Sequence, residues 1–347
     1  MRLSYTGKAE MQTFAELLAA GSRPVVTAEL PAINSGGLDA VRRHVDAIAP
    51  HVDAINATDN PAAHAHASNV AIAIAIRQLG AEPIMQVVCR DKNRLAIQAD
   101  IVGAALFGVT NICALTGDDV TAGDEPEARR VFDLDGPQLI QVVTGIADGH
   151  YLSGRPIDPP PQLFVGAVEN PGAPPLAHRV DRAKKKSEVG ARFLQLQICY
   201  HADRLKQFVA GCVDSGVTAS TALLPTICLT RSSRALTFMD ERVPGISVPT
   251  ETIRQVKGAS DEAEAAYQLA LEQARFALSL SGVAGIHIAD FRHDGAIGRL
   301  VDDLGLRNER TQPDSTAYIG NHAGNASDSS NEQKPEEEHA HGSQLAN

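Results

Sequence analysis

The chain reads as an α/β protein of the (β/α)8 TIM-barrel class, with extra helices and a disordered C-terminal tail. Three observations predict this. Short apolar runs, bounded by turn residues and too brief for helices, recur eight times along the chain, as strands buried on both faces of a parallel sheet do. Stretches of helical spacing separate them in one continuous alternation, and a length of 347 residues suits a single large barrel. A doubly wound sheet is the competitor, but it usually has fewer strands, and no Gly-x-Gly-x-x-Gly follows any strand here.

The expected order is a leader and helix over 1–21, a barrel over 22–306 and an acidic, polar tail over 307–347. Residues 1–8 look loose. Met11, Phe14, Leu17 and Leu18 then share a helical face in 10–20, ended by Gly21. Strands are expected at 24–30, 52–57, 83–89, 111–115, 162–167, 193–198, 218–224 and 285–289. Helices are expected at 38–50, 93–107, 137–147, 176–188, 202–215, 231–241, 261–281 and 294–304. Residues 68–79 are ambiguous, since Val70, Ile72, Ile74 and Ile76 alternate with alanine as in a strand. The alanine content and the place between two strands favour a buried helix. An irregular segment is expected around Pro244 and Pro249. Beyond about residue 307 apolar residues nearly vanish, which predicts disorder.

Composition excludes several functions. Aromatics make up 4% of the chain, with no Trp, which leaves no stacking platform for single-stranded nucleic acid. A net charge of −11 disfavours nucleic acid and anionic membranes as partners. No run approaches a membrane span, and no signal-peptide core opens the chain, so a cytoplasmic protein is expected. Cys89, Cys113, Cys199, Cys212 and Cys228 are too widely spaced for a zinc site and suit small buried hydrophobes in a reducing compartment. His64 and His66 lack the companions a metal site needs.

In this fold class active sites form at the carboxyl ends of the strands. The polar residues there are Glu29; Asn56, Thr58 and Asp59; Gln86, Arg90 and Asp91; Thr116 and Asp118; Glu169 and Asn170; Gln195 and Gln197; His287 and Asp290. Glu29 and Asp118 are carboxylates that would face one mouth and could divide acid and base work, although a strand-end carboxylate can equally cap the next helix. Gln195 and Gln197, two apart in a strand, share a face. Buried glutamine needs a partner, which could be a ligand amide, a pterin-like edge or simply a neighbouring strand. Arg179, Arg182, Lys184, Lys185 and Lys186 form a basic run, either a solvated helix face or a phosphate site.

These residues resemble the methylenetetrahydrofolate reductase family over roughly residues 20 to 306. The resemblance rests on Thr27-Ala28-Glu29-Leu30-Pro31, Asn56-Ala57-Thr58-Asp59-Asn60, Cys89-Arg90-Asp91, Ala114-Leu115-Thr116-Gly117-Asp118, Val131-Phe132-Asp133-Leu134-Asp135 and Gly190-Ala191-Arg192-Phe193-Leu194-Gln195-Leu196-Gln197. It implies a flavoprotein of one-carbon metabolism and methionine biosynthesis, an oxidoreductase using FAD and NADH or NADPH to make methyltetrahydrofolate. Glu29 matches the general acid that opens the methylene bridge. Asp118 matches the carboxylate beside the flavin pyrimidine and the pterin, and Gln197 the glutamine that touches folate and the nicotinamide donor. Thr58, Asp59, Gln86, Thr116, Gly117 and Asp133 fall on flavin-lining positions, and Arg182, Lys185 and Lys186 on positions near its phosphates and adenosine end. Thr116 replaces an Arg, Gln86 a His and Val168 a Tyr of the best-known members, so the chain looks closer to a divergent branch. The alternatives are a flavin-free or differently fuelled reductase of a related one-carbon carrier, or a non-catalytic barrel subunit. A homo-oligomer or partner subunit is compatible with each.

Overall fold

The computed structural model describes residues 12–306. The expected leader, the first residues of the expected N-terminal helix and the expected disordered tail lie outside them. Eight parallel strands pair in sequence order: β1 (Val25–Glu29), β2 (Ala54–Ala57), β3 (Pro83–Val88), β4 (Asn111–Leu115), β5 (Phe164–Glu169), β6 (Phe193–Leu196), β7 (Ala222–Leu229) and β8 (Gly285–Asp290). The last closes on the first, with Val25 opposite Gly285 and Thr27 opposite His287. The expected barrel is the observed one.

Helices cover its outside: α2 (Leu38–Ile48), α3 (Asn69–Gln78), α4 (Arg94–Ala105), α5 (Gly136–Ala147), α6 (Leu176–Glu188), α7 (Ala202–Asp214), α8 (Ser233–Arg242), α9 (Thr250–Lys257), α10 (Glu262–Ser279) and α11 (Ala296–Asp303). The ambiguous alanine-rich stretch is the helix α3. It buries Ile72, Ala73, Ala75 and Ile76, and the small alanines let it lie close to β2 and β3.

Two expectations shift. The seventh strand starts four residues later than expected and runs through Pro225, opposite Leu196, to Leu229, while residues 217–219 form a single 3-10 turn. Proline usually marks a strand's edge, which is why the sequence suggests an end there. The segment after Pro249 is helical rather than irregular, because Pro249 stands just before the first turn of α9 and leaves its hydrogen bonds intact.

A further helix, α1 (Phe14–Ala20), plugs the amino end of the barrel. Thr13 and Glu16 form a reciprocal capping box, which sets the start of α1 at Phe14. The fully buried Phe14 ring meets Phe193 edge-on at 5.1 Å and Phe164 at 5.8 Å. Val25, Ala54, Ile84, Cys113 and Leu224 complete this lower, apolar layer. The barrel interior is thus packed with apolar side chains at its base, and its polar side chains lie toward the carboxyl end.

Candidate active site at the barrel mouth

Above the apolar base lies a layer of polar side chains bonded to one another, with only His287 Nε2 in it left over. Asn56 and Gln195 exchange two amide hydrogen bonds, Nδ2 to Oε1 at 2.8 Å and Nε2 to Oδ1 at 3.0 Å. Thr27 Oγ1 lies 2.8 Å from His287 Nδ1, and Gln195 Nε2 donates to the same nitrogen at 3.3 Å. Thr27, Asn56, Gln195 and His287 are all buried. Inward-facing residues of β1, β2, β6 and β8 reach one another here because strand side chains alternate in and out. Gln195 therefore finds its partners inside the protein, but across the barrel on β2 and β8 and not on a neighbouring strand as the plainer expectation had it.

Glu29 stands one step further out, at the end of β1. Its side chain is 36% exposed, and its Oε1 is 3.7 Å from His287 Nε2. That separation is too long for a hydrogen bond, so the carboxyl group faces the opening with its oxygens available. Gln197 is also exposed; its Oε1 accepts from Ile198 N–H at 2.9 Å, which leaves the amide NH2 directed to other partners. Asp118 is exposed beyond the end of β4. Thr58, half-buried, and Thr116, exposed, follow β2 and β4. Gly117 between Thr116 and Asp118 takes φ +89°, and a Cβ there would sit 3.1 Å from that of Arg90. Glycine both allows this turn and lets the backbone pass close to Arg90.

Several other expected residues have structural duties. Asp59 is buried, accepts from Val88 N–H at 3.0 Å and lies 3.4 Å from Lys92. Burial pushes its carboxyl up, against the opposing pull of Lys92 and the Val88 amide. Gln86 is buried within β3. Asp133, after β4, is clasped by Arg94 at 2.8 Å, and hydrogen bonds from that guanidinium hold it near 2. Arg130 grips Asp119 in the same two-pronged way. Arg90, buried, donates to Asp91, to Asn60 O and to Asp118 O, and so braces three loops of the mouth.

The basic run of α6 is organised around one carboxylate. Glu169, buried at the end of β5, is 2.6 Å from Lys186 Nζ, 3.4 Å from Arg182 and 3.6 Å from Arg179. Lys186 is buried and donates also to Val168 O. Burial pushes the Glu169 carboxyl up, but the Lys186 ammonium and the hydrogen bonds around it outweigh that and hold it below the usual range. Arg182 stays partly exposed and Lys185 is exposed, the two cations of the expected phosphate set that face outward.

The five cysteines are free; four are buried, and burial pushes the thiols of Cys89, Cys212 and Cys228 up to about 12. Among the described residues no cluster of three or more His, Cys, Asp or Glu is placed to hold a metal, and no helix is long and apolar enough to cross a membrane. His64 and His66 stack at 6.4 Å, and His66 bonds Asn34. His287 was readable in the sequence only as a strand-end residue. Its bonds to Thr27 and Gln195 span 260 and 92 residues, beyond any local pattern.

A closed parallel barrel, packed with apolar side chains at its amino end and carrying carboxylates, amides and hydroxyls at its carboxyl end, is a (β/α)8 barrel with its polar groups gathered at the mouth where this fold class places its active sites. A sequence profile of the methylenetetrahydrofolate reductase family matches residues 37–305, and the chain belongs to that family. No relative was found among curated proteins. Among solved structures, one similar fold is an uncharacterized protein from Clostridium thermocellum that binds two copies of 5-methyl-5,6,7,8-tetrahydrofolic acid. It has a TM-score of 0.57 and 14% identity, over 84% of this chain and 99% of that one. EDTA monooxygenase (EmoA) from Chelativorans sp. BNC1 follows at TM-score 0.51 and 12% identity, over 82% and 93% of the two chains. DmoA from Hyphomicrobium sulfonivorans is similar at TM-score 0.50 and 9% identity, over 82% and 87%. At these identities the likeness is one of fold.

Proposed function

We propose that this protein reduces 5,10-methylenetetrahydrofolate to 5-methyltetrahydrofolate, with Glu29 as the proton donor that opens the methylene bridge. The observation that carries this reading is the position of Glu29: a carboxyl facing the opening, above a sealed polar layer, with no hydrogen bond holding it back. Family membership and the folate bound by a similar fold support the substrate class.

Opening the bridge requires a proton on the departing nitrogen, leaving an iminium carbon at the other; hydride delivered to that carbon completes the methyl group. Glu29 gives the proton. Asp118 orients the pterin through its polar edge, and the free amide of Gln197 orients folate and donor.

A bound FAD, recharged by NADH or NADPH, would supply the hydride. The residues present suit it: Gly117 lets backbone amides approach a ring, Thr58 and Thr116 offer neutral hydrogen bonds, and three cations around Glu169 outnumber the one carboxylate, favouring a diphosphate. In this reading Asp59, Gln86 and Asp133 frame the ring end, and Arg182 and Lys185 take the phosphates while Lys186 adds charge from within the wall.

A second reading has hydride pass directly from the nicotinamide. It is favoured by Arg94 and Arg130, each already gripped by a carboxylate in the loop after β4 and so unavailable to a diphosphate. A visible spectrum of the purified protein, before and after NADH and then methylenetetrahydrofolate, separates the two. Flavin absorbance that bleaches with NADH and returns with substrate supports the first; turnover without flavin supports the second. Glu29→Gln is expected to lower kcat by roughly 100- to 10,000-fold, the usual worth of a general acid. Unchanged turnover would remove Glu29 from the chemistry, and absence of turnover in the unaltered protein would leave a non-catalytic subunit.

A further inference from the structure

We infer that His287 is a positioning residue for Glu29: a neutral imidazole, locked with its hydrogen on Nε2, that donates to the Glu29 carboxylate as the proton leaves it. The inference rests on the reading of Glu29 as proton donor, and it extends that reading to a residue with no assigned role.

The tautomer follows from the layer around the ring. Gln195 Nε2 can only donate, and it lies 3.3 Å from His287 Nδ1. Its orientation is fixed by the paired bonds with Asn56, at 2.8 and 3.0 Å, and by Cys113 Sγ, 3.6 Å from Gln195 Oε1. Turning over the Gln195 amide alone would set oxygen against oxygen and N–H against N–H, and turning over Gln195 and Asn56 together would take away the oxygen to which the Cys113 thiol donates. Nδ1 is therefore an acceptor, also served by the Thr27 hydroxyl at 2.8 Å, and the ring's one hydrogen sits on Nε2.

That hydrogen has no partner. His287 Nε2 is buried without a hydrogen bond, and Glu29 Oε1, at 3.7 Å, is the carboxylate oxygen it faces. A buried donor left unpaired needs a reason. Here the other half of the pair can move: Glu29 is partly exposed, and a side-chain rotation of about an ångström brings its oxygen to hydrogen-bonding distance. A protonated Glu29 gains modestly from this contact. The carboxylate left after proton transfer gains more, because a hydrogen bond to a charged group is the stronger one. The contact thus favours the state that forms as the bridge opens, and it returns Glu29 to one position for the next turnover.

Glutamine can place an amide nitrogen near the site of Nε2, whereas leucine cannot donate. His287→Leu is expected to lower kcat roughly ten- to a hundredfold, the worth of one hydrogen bond to a charged group. KM for the folate should stay within about twofold, since ground-state binding is untouched. His287→Gln should recover most of kcat. A folded His287→Leu protein with unaltered kcat would overturn the inference, as would a loss confined to KM.

An independent measurement reads the ring itself. In protein carrying 15N-histidine, the His287 resonances, identified by their loss in His287→Gln, should report a protonated Nε2 and an unprotonated Nδ1. Glu29→Gln should shift the Nε2 signal. An Nδ1–H tautomer, or an Nε2 signal indifferent to Glu29, overturns the inference. This readout holds whether or not the protein reduces folate: failure of the reductase reading shows as absent turnover, and failure of the His287 inference shows in the ring.

Discussion

Glu169 and Lys186 show at the scale of single residues how much of this barrel depends on one buried contact. Both side chains are almost enclosed, and they meet at 2.6 Å. Removing Lys186 leaves Glu169 only the longer contacts to Arg182 and Arg179, so Lys186→Met should cost up to about 3–5 kcal/mol, read as a lower urea midpoint. The pair also sets a pH dependence. Because the Glu169 carboxyl is held below its ordinary value in the fold, its contribution is fully present above the carboxylate range of the unfolded chain. It is lost as pH falls through the lowered folded value. The cost of Lys186→Met should therefore be greatest above the carboxylate range and shrink as pH falls, because acid neutralises the carboxylate left behind and removes the pair from the unaltered protein; a difference in urea midpoint that stays constant from neutral pH into the carboxylate range would contradict this. At this scale the sequence revealed the kinds of residue at the mouth, Glu29 and Gln197 among them. It could not reveal that Gln195 faces Asn56 rather than a ligand, or that Lys186 turns inward, because those partners come from distant strands and are chosen by the three-dimensional register.

Among the elements, α1 differs from the rest in lying under the barrel instead of around it. Its grip is the Phe14 ring between Phe164 and Phe193. Phe14→Ala should cost about 3–5 kcal/mol, the range for emptying a fully buried aromatic site. The polar mouth lies at the opposite end, so kcat of the protein that remains folded should not change; a large fall in kcat would mean that α1 shapes the site as well. The Thr13–Glu16 capping box sets the start of α1 at Phe14, whereas hydrophobic spacing carried the expected helix across Gln12 and Thr13, which lie outside it. The end of β7 was obscured by Pro225, and α9 by the prolines before it. In both cases a residue that normally interrupts structure is accommodated, by its place in the pairing or by its place before the first turn.

For the whole molecule, the alternation of strand and helix was enough to give the barrel, since eight buried parallel strands with helices between them have few other arrangements. The seam between β1 and β8 was not legible, because closure joins the first strand to the last. At that seam a Cβ on Gly285 would fall 1.9 Å from the Val25 carbonyl oxygen. Gly285→Ala should thus separate the two strands and cost at least about 1–3 kcal/mol, as overpacking does. A matching loss of the cooperative unfolding transition would show that the seam holds the molecule as one unit, whereas an unchanged transition would show that closure tolerates displacement.

The plug beneath the barrel has a consequence for traffic. With Phe14 closing the base, every guest arrives and departs by the same doorway. Whatever settles first at the bottom waits on whatever settles above it. If a resident carrier stores the reducing equivalents, the two reactants take turns in that doorway, and double-reciprocal plots of rate should give parallel lines, with an excess of either reactant crowding out the other. If hydride passes directly, both must be inside together, one stacked upon the other, and the lines should intersect.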